Sequence, residues 1–394
     1  MKNVQIISVL LIAVLELSTV LFATAVEIYM AVLALVFFIC AIKNVSSGFR
    51  KPVYIFLSIG ITLLLYSQAG IYFWLKGITS MLGIIGILVV MQLFTIPIKI
   101  GSYGGNIECL LIKKMRSPRQ LFLFLTVLTH IFGSFLLFGT IPVMLSLVKD
   151  AVGNMVSNAD RFLSAAITRS YALVVLWAPG AVNILIINKV LGTTWQEIFI
   201  PGLFIGSVGI IISYLAECNN EQLYIKSFME KDILPEQQSP DFYKKSVQKI
   251  YHILGIVIGL IMVVQLLGYL KIGNSTTQIM LGGLVIALVW INSFKNRTML
   301  RECFQDYLYV DIIKTIDLAL LFIAVGIFSA GLEAMGVLQN IVPYILSVYT
   351  EIGSLILLPI SLTILILSCL GVHPYGSMVV LGELLLALQL PTSP

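Results

Sequence analysis

The chain has 394 residues, 59% of them hydrophobic and only 11% charged, with a mean hydropathy of +1.02. A water-soluble chain carries about 25% charged residues, so this one cannot cover itself for water and reads as an all-α, polytopic membrane protein. Its net charge of +5 is modest and confined mainly to loops, which bears on membrane orientation and not on nucleic acid.

A helix crossing the hydrocarbon needs about 20 apolar residues. Val4–Ala23 supplies them, and Ala23-Thr24-Ala25 has the look of a cleavage site. Glu16 inside the run and a second apolar segment directly behind it favour a retained helix over a cleaved leader. Glu16, near the middle of its run, needs a partner or water. Ile28–Ile42 is short unless it borrows residues around Glu27. These two helices form an N-terminal unit, residues 1–43.

A first repeat is expected over residues 44–216. A basic loop from Lys43 to Lys51 precedes Val53–Leu75 and Thr79–Pro97, a pair joined around Lys76. A second basic stretch runs from Lys99 to Arg119. Basic loops favour the cytoplasmic side; two helices between them let both lie there, and Lys2 puts the N-terminus there too. Gly101, Gly104 and Gly105 lack a following strand or lysine, so a flexible turn explains them better than a phosphate cradle. Leu121–Val148 is too long for a plain span and holds Gly133, Gly139 and Pro142, which predicts a bent helix or a helical hairpin.

Lys149–Ser170 is polar. Arg169–Ile187 is apolar but broken at Ala178-Pro179-Gly180. Proline has no N–H to donate and disfavours helical geometry before it, and glycine permits dihedrals other residues avoid. The freed N–H and C=O groups find no partner in lipid, so they are buried in protein or line a wet cavity. A helix over Ile198–Leu215 closes the half.

Residues 217–249 are the only long hydrophilic segment and read as a connector. The second repeat, 250–394, has Ile250–Leu270, Gln278–Ile291, a basic loop with Lys295, Arg297 and Arg301, and Tyr309–Ala330. A weak run through Ile345, a helix at Ile352–Leu370 and a second broken stretch, Ile364–Leu385, follow. There Pro374 is flanked by Gly371 and Gly376, in a position that matches Pro179 near the end of its series. Two Gly/Pro-interrupted apolar segments in matching positions point to a transporter's binding site. Charge does not decide whether the repeats are inverted, since inversion would put one corresponding basic loop outside. Met378–Leu390 cannot span alone. Either the second repeat lacks its last helix by design or the chain is shortened from a longer protein, and the repeat argument favours the latter.

The candidate substrate-binding residues come from the breaks and the long irregular stretch. Trp177, Pro179, Gly180 and Asn183 belong to the first break, where helix-end N–H groups suit an anion. The competing explanation is a proline kink with Asn183 packed on a neighbour. Gly371, His373, Pro374 and Ser377 belong to the second. His373 suits substrate or a proton, against a histidine satisfied locally. Ser134 and Thr140, with His130 nearby, would line the same pocket, although Ser and Thr commonly bond back to their own helix. Asp317 and Lys314 share a helix face and predict a structural ion pair; Glu333 follows Gly331 and suits an interface.

The sequence contains no GxxxxGK[ST], HExxH or GxSxG, which removes support for ATP-driven pumping and the commonest hydrolytic chemistries. The five scattered cysteines read as free thiols or packing residues, and no metal or cofactor is expected beyond Na+ or H+ as a coupling ion. The leading expectation is a secondary transporter in the cell (inner) membrane, with a small, anionic solute and the bilayer as partners and a homodimer left open. Its rivals are a membrane enzyme acting on lipid-linked or glycan substrate through Asp150, Asp160, Arg161 and Arg169, and a non-transporting subunit of a membrane complex.

The order IKIGSYGG…KKMRSPRQ, THIFGSFLLFGTIPVM, LWAPGAVN, connector and GVHPYGSM resembles the ion-transporter superfamily, and most closely its bacterial permeases. That group includes arsenite and sodium/proton antiporters and dicarboxylate and citrate permeases. The resemblance covers roughly residues 50 to 394. It implies two inverted repeats, each with a helical hairpin and a broken helix, meeting at a midplane site. The Ser-Asn-Thr triplet of dicarboxylate carriers does not occur here, and Ser134 and Thr140 lie in the equivalent region.

Overall fold

The computed structural model describes residues 2–20, 27–115, 117–156, 158–218, 239–370 and 373–387. Regular structure among them is helical, and eight stretches are long and apolar enough to cross a membrane: Glu27–Asn44, Ser47–Tyr66, Ile71–Gly101, Pro118–Leu136, Trp195–Glu217, Pro240–Tyr269, Ser275–Asn292 and Arg297–Ala334. This is the architecture of a polytopic membrane protein. Ile200, Phe204, Ile211 and Leu215 stay exposed on one span, as suits a helix whose solvent is lipid.

Helices α1 (Lys2–Ser18), α2 (Glu27–Ala41) and α3 (Ser47–Tyr66) come first. Glu16 falls in the last turn of α1, not mid-run, and lines a polar cavity of about 160 Å³ with Glu27, Lys189 and Asn274. The next boundary is not at Lys76. Helix α3 ends before Gln68, which takes a positive φ of 49°; α4 (Ile71–Thr79), α5 (Leu82–Gln92) and α6 (Thr95–Gly101) then form one interrupted 31-residue span. Lys76 stays inside it because Glu333 neutralises it at 2.6 Å. The glycine cluster is helical as well: Ser102, at φ 46°, pivots the chain into α7 (Tyr103–Lys114), whose first turn contains Gly104 and Gly105.

The stretch 121–148 is divided between α8 (Pro118–Leu136) and α9 (Thr140–Met155), with a 3-10 turn at Leu137–Gly139. Ser117 caps α8 by accepting the Gln120 backbone N–H at 3.3 Å, with Pro118 in the first turn. Leu137 reverses the chain at φ 50°. Helix α9 then packs on α7, with Leu147 against Gly104. The pair is a helical hairpin, since α10 (Ala159–Val174), which follows α9, again runs alongside α8, with Phe122 by Phe162 and Ser170 bonded to the Thr126 carbonyl. The polar stretch 149–170 is also largely helical, shared by α9 and α10. A non-helical segment through Ala181 leads to α11 (Val182–Leu191) and α12 (Trp195–Cys218).

The chain continues in α13 (Pro240–Tyr269), α14 (Ser275–Asn292), α15 (Arg297–Asp306), a π-helical turn at Tyr307–Asp311, and α16 (Ile312–Ala334). Helices α17 (Val337–Ile352), α18 (Leu357–Cys369) and α19 (Pro374–Ala387) follow. The connector is shorter than expected, because Ser239 caps α13 by accepting the Phe242 N–H and Lys244, Lys245 and Lys249 already lie on that helix. Residues 219–238, Ala23-Thr24-Ala25 and the tail from Leu388 lie outside the described residues.

The two most buried spans, α4–α6 and α15–α16, lie against each other. Lys76 pairs with Glu333, Gly77 touches Ile327, Thr95 bonds Asp311 and Lys99 reaches Asp306. One number climbs as the other falls, so the spans run antiparallel. Helix α3 instead runs with α16. Its start is tied to Asp317, whose Oδ1 accepts the Ser46 N–H at 3.1 Å, and Gly60 meets Phe328 and Gly331 further on. Small residues let backbones approach where no hydrophobic effect drives helices together. The expected Asp317–Lys314 pair is not formed: with Asp317 taken by Ser46, Lys314 turns to Asp311 at 3.4 Å.

The basic stretches gather at one end of the bundle. Ser46 bonds Asp317, Lys99 reaches Asp306, and Lys249 Nζ donates to the Gly101 carbonyl at 2.7 Å. Gln5 bonds the Cys40 carbonyl at 2.8 Å, which brings the start of α1 to the same end. The Lys76–Glu333 pair and the Glu16 cavity lie at the opposite end.

Candidate functional site

Helix α10 enters from the basic end and stops at Val174, whose carbonyl accepts the N–H groups of Trp177 (3.2 Å) and Ala178 (3.0 Å). The Ala181 N–H returns to Ala178 at 3.0 Å. Pro179 has no N–H to place, and α11 then starts at Val182 with no side-chain cap. Trp177, Ala178, Pro179, Gly180 and Ala181 are buried, so the break is enclosed by protein, as lipid requires.

Trp177 braces this break. Its indole Nε1 donates to His130 Nε2 at 2.7 Å, and its carbonyl accepts Trp195 Nε1 at 2.8 Å. Gly202 lets α12 press directly on the Leu176 carbonyl. Its one donor is committed to His130, so Trp177 has its ring and not a hydrogen bond to offer a ligand. Asn183 stands half-buried in the first turn of α11, with no hydrogen-bond partner among the described residues.

The hairpin turn meets this break. A Cβ built on Gly180 would lie 3.2 Å from both the Leu137 and the Met91 side chains, so the turn and the break meet closely here. Leu137 holds φ 50° with ψ −122°, a conformation side chains rarely adopt and one that concentrates at functional sites. Beyond the turn lies a cavity of about 240 Å³. Gly139, Pro142 and Ser146 form one wall, Gln92, Thr95 and Lys99 a second, and Asp311, Lys314 and Thr315 a third. Neither Pro179 nor Pro374 lines it.

Asp311 is the electrostatic centre of that cavity. Its Oδ2 accepts from Thr95 Oγ1 (3.0 Å) and Lys99 Nζ (3.2 Å), and its Oδ1 faces Lys314 Nζ at 3.4 Å. The side chain is 8% exposed. Its position closes the π-helical turn, an irregularity found frequently at functional sites, and the Tyr307 hydroxyl anchors that turn on the Val89 carbonyl at 3.1 Å. The lining carries two ammonium groups and one carboxylate, and Asp306, outside the lining, accepts from Lys99 at 3.3 Å.

The second interruption lies between Cys369 and Pro374; Gly371 falls outside the described residues. His373 is half-buried, its ring 6.1 Å from Phe49 and 4.7 Å from Tyr375, and its Nδ1 accepts the Tyr375 N–H at 3.4 Å. Pro374 is exposed and opens α19, Tyr375 stacks on Phe322, and Gly376 receives the Phe56 ring. Helix α19 then leads toward the Lys76–Glu333 end, where Glu383 accepts from Ser329 and Gly382 lies against Val190 of α11.

The expected site residues are therefore brought together in part. Helix α11, which follows the first break, packs on α19, which follows the second. Thr140 and Ser377 are buried with hydroxyls that have no partner among the described residues, whereas Ser134 bonds back to the Ile131 carbonyl at 2.7 Å. Helices α17 and α18 meet at a 3-10 turn, Gly353–Ile356, where Gly353 holds φ 57° with ψ −139°, close to the backbone of Leu137. Glycine and proline mark an interruption in a sequence without saying whether the chain turns back or continues.

Sequence reasoning missed Gln92, Thr95, Lys99, Asp311 and Thr315. Asp311 carried a signal, an ionisable group inside the apolar run Tyr309–Ala330. No protein-family model matches the chain, and no curated protein matches it.

Proposed function

We propose that the protein is a secondary active transporter, similar to the ion-transporter superfamily, that moves a small anionic solute by alternating access. One observation carries the reading. The two central spans, α4–α6 and α15–α16, run antiparallel against each other, and a helical hairpin from the basic end turns beside them at Leu137–Gly139. Such an arrangement suits inverted repeats that bind at the membrane midplane and expose the site to each side in turn.

The solute class follows from charge. Two ammonium groups, Lys99 and Lys314, face the cavity, and the uncapped start of α11 adds the positive end of a helix dipole at the break. An anion entering beside the hairpin turn would share the lysines with Asp311. Na+ or H+ supplies the gradient in this reading, and the positive-inside bias puts the basic end in the cytoplasm of a cell whose inner membrane holds the protein. The enzyme alternative loses its charged cluster, because Arg161 and Arg169 each bind Glu217 at 3.1 Å and clamp α10 to α12.

Counterflow in proteoliposomes tests the proposal. Vesicles loaded with unlabelled inorganic or carboxylate anions should accumulate the labelled one, and Asp311→Asn and Asn183→Ala should each reduce it. Counterflow of no anion in the panel, or uptake undiminished in both variants, removes the proposal.

A further inference from the structure

A cavity of about 700 Å³ opens at the basic end between α14 and α15. Lys295, Arg297 and Arg301 line it, and none has an ion-pair partner among the described residues. Arg297 and Arg301 are one helical turn apart and share a face of α15. Glu302 is not part of the lining, and Asp306 is already committed to Lys99. The rest of the wall is chiefly apolar, with Leu288 and Ile291 from the last turns of α14.

Depth and surroundings identify the occupant. Helix α14 ends at Asn292 and α15 begins at Arg297, so the cations stand where a membrane span ends. Leu288 is 46% exposed and is continued along α14 by exposed Val285 and Val289. The apolar wall therefore opens onto the lipid-facing surface and not into the protein. Asn296 caps α15 by accepting the Met299 N–H at 3.1 Å, and the positive end of that helix faces the same level. A soluble anion would use the cations and leave the apolar track empty.

We propose that this cavity holds an anionic phospholipid, its phosphodiester between Lys295 and the Arg297–Arg301 pair and an acyl chain along Leu288 and Ile291. Basic pockets between spans at the cytoplasmic side favour such headgroups, each cation near the surface adding about 1 kcal/mol. The site is separate from the hairpin cavity and does not depend on what is transported.

The test uses the full chain purified in detergent, titrated with phosphatidylglycerol, phosphatidylcholine or inorganic phosphate, and read by thermal unfolding and lipid retention in native mass spectrometry. Phosphatidylglycerol should raise the Tm and stay bound, with phosphatidylcholine and phosphate far weaker. Arg297→Gln with Arg301→Gln should weaken phosphatidylglycerol by about tenfold or more. Leu288→Trp, at an exposed position that folding tolerates, should block the lipid while leaving the cations in place. Equal stabilisation by phosphatidylcholine, full stabilisation by phosphate alone, or undiminished retention in Leu288→Trp would each overturn the assignment.

Discussion

Lys99 and Asp311 stand 3.2 Å apart although 212 positions separate them in the chain. Their contact ties α6 to the π-helical turn before α16 and sets an ion pair beside the first hairpin turn. Removing Lys99 leaves Asp311 with Lys314, so the fold should survive. A charge-assisted hydrogen bond contributes about 1.5–3 kcal/mol, which in affinity is roughly ten- to a hundredfold. Lys99→Gln should raise the KM for an anionic solute by that order, and Lys99→Arg should recover much of it. Anion uptake kinetics in proteoliposomes check this; an unchanged KM would move the solute away from the cavity.

Gly60 crosses α16 so closely that an added Cβ would lie 2.7 Å from the Phe328 backbone nitrogen. Backbone cannot rotate away as a side chain can. Gly60→Ala should therefore destabilise by about 1–3 kcal/mol. Gly48→Ala, on the same helix with open space around it, should not destabilise. Thermal unfolding of both variants in one detergent compares them directly.

Trp177 and Asn183 occupy one break but should respond differently. Trp177→Phe removes the donor to His130 and leaves a buried acceptor unpaired, which costs about 1–3 kcal/mol; the Tm should fall while KM barely moves. Asn183→Ala removes a side chain with no partner, so the Tm should hold while KM rises. A matched fall in stability for both would make Asn183 a packing residue.

The gathering of basic stretches at one end predicts sidedness. In a background lacking the native cysteines, Lys114→Cys and Lys295→Cys should be labelled by an impermeant maleimide only from the cytoplasmic side. Lys271→Cys, in the turn between α13 and α14, should be labelled only from outside. Labelling of all three from one side would rule out the topology.

Several of these features were legible before any coordinates. Pro179 announces its break because a missing N–H interrupts a helix wherever it sits, and Glu27 was needed to lengthen α2 and does begin it. The hairpin was half legible: Gly139 and Pro142 allowed either a bend or a reversal, and only the packing of α9 on α7 decides for reversal. That the Trp177 indole donates to His130, 47 positions earlier, was not legible, because nothing in the local sequence links the two.

Composition and local residue chemistry determined the membrane setting, the all-helical class and where helices are interrupted, because these depend on each segment's own apolar length and backbone donors. Tertiary structure decided the antiparallel pairing of the central spans, the partner of every buried charge and which interruption faces which. Those outcomes depend on contacts between residues far apart in the chain. Asp317 shows why: a carboxylate three positions from a lysine bonded a backbone amide 271 positions away instead, since proximity in the fold outweighs spacing along a helix.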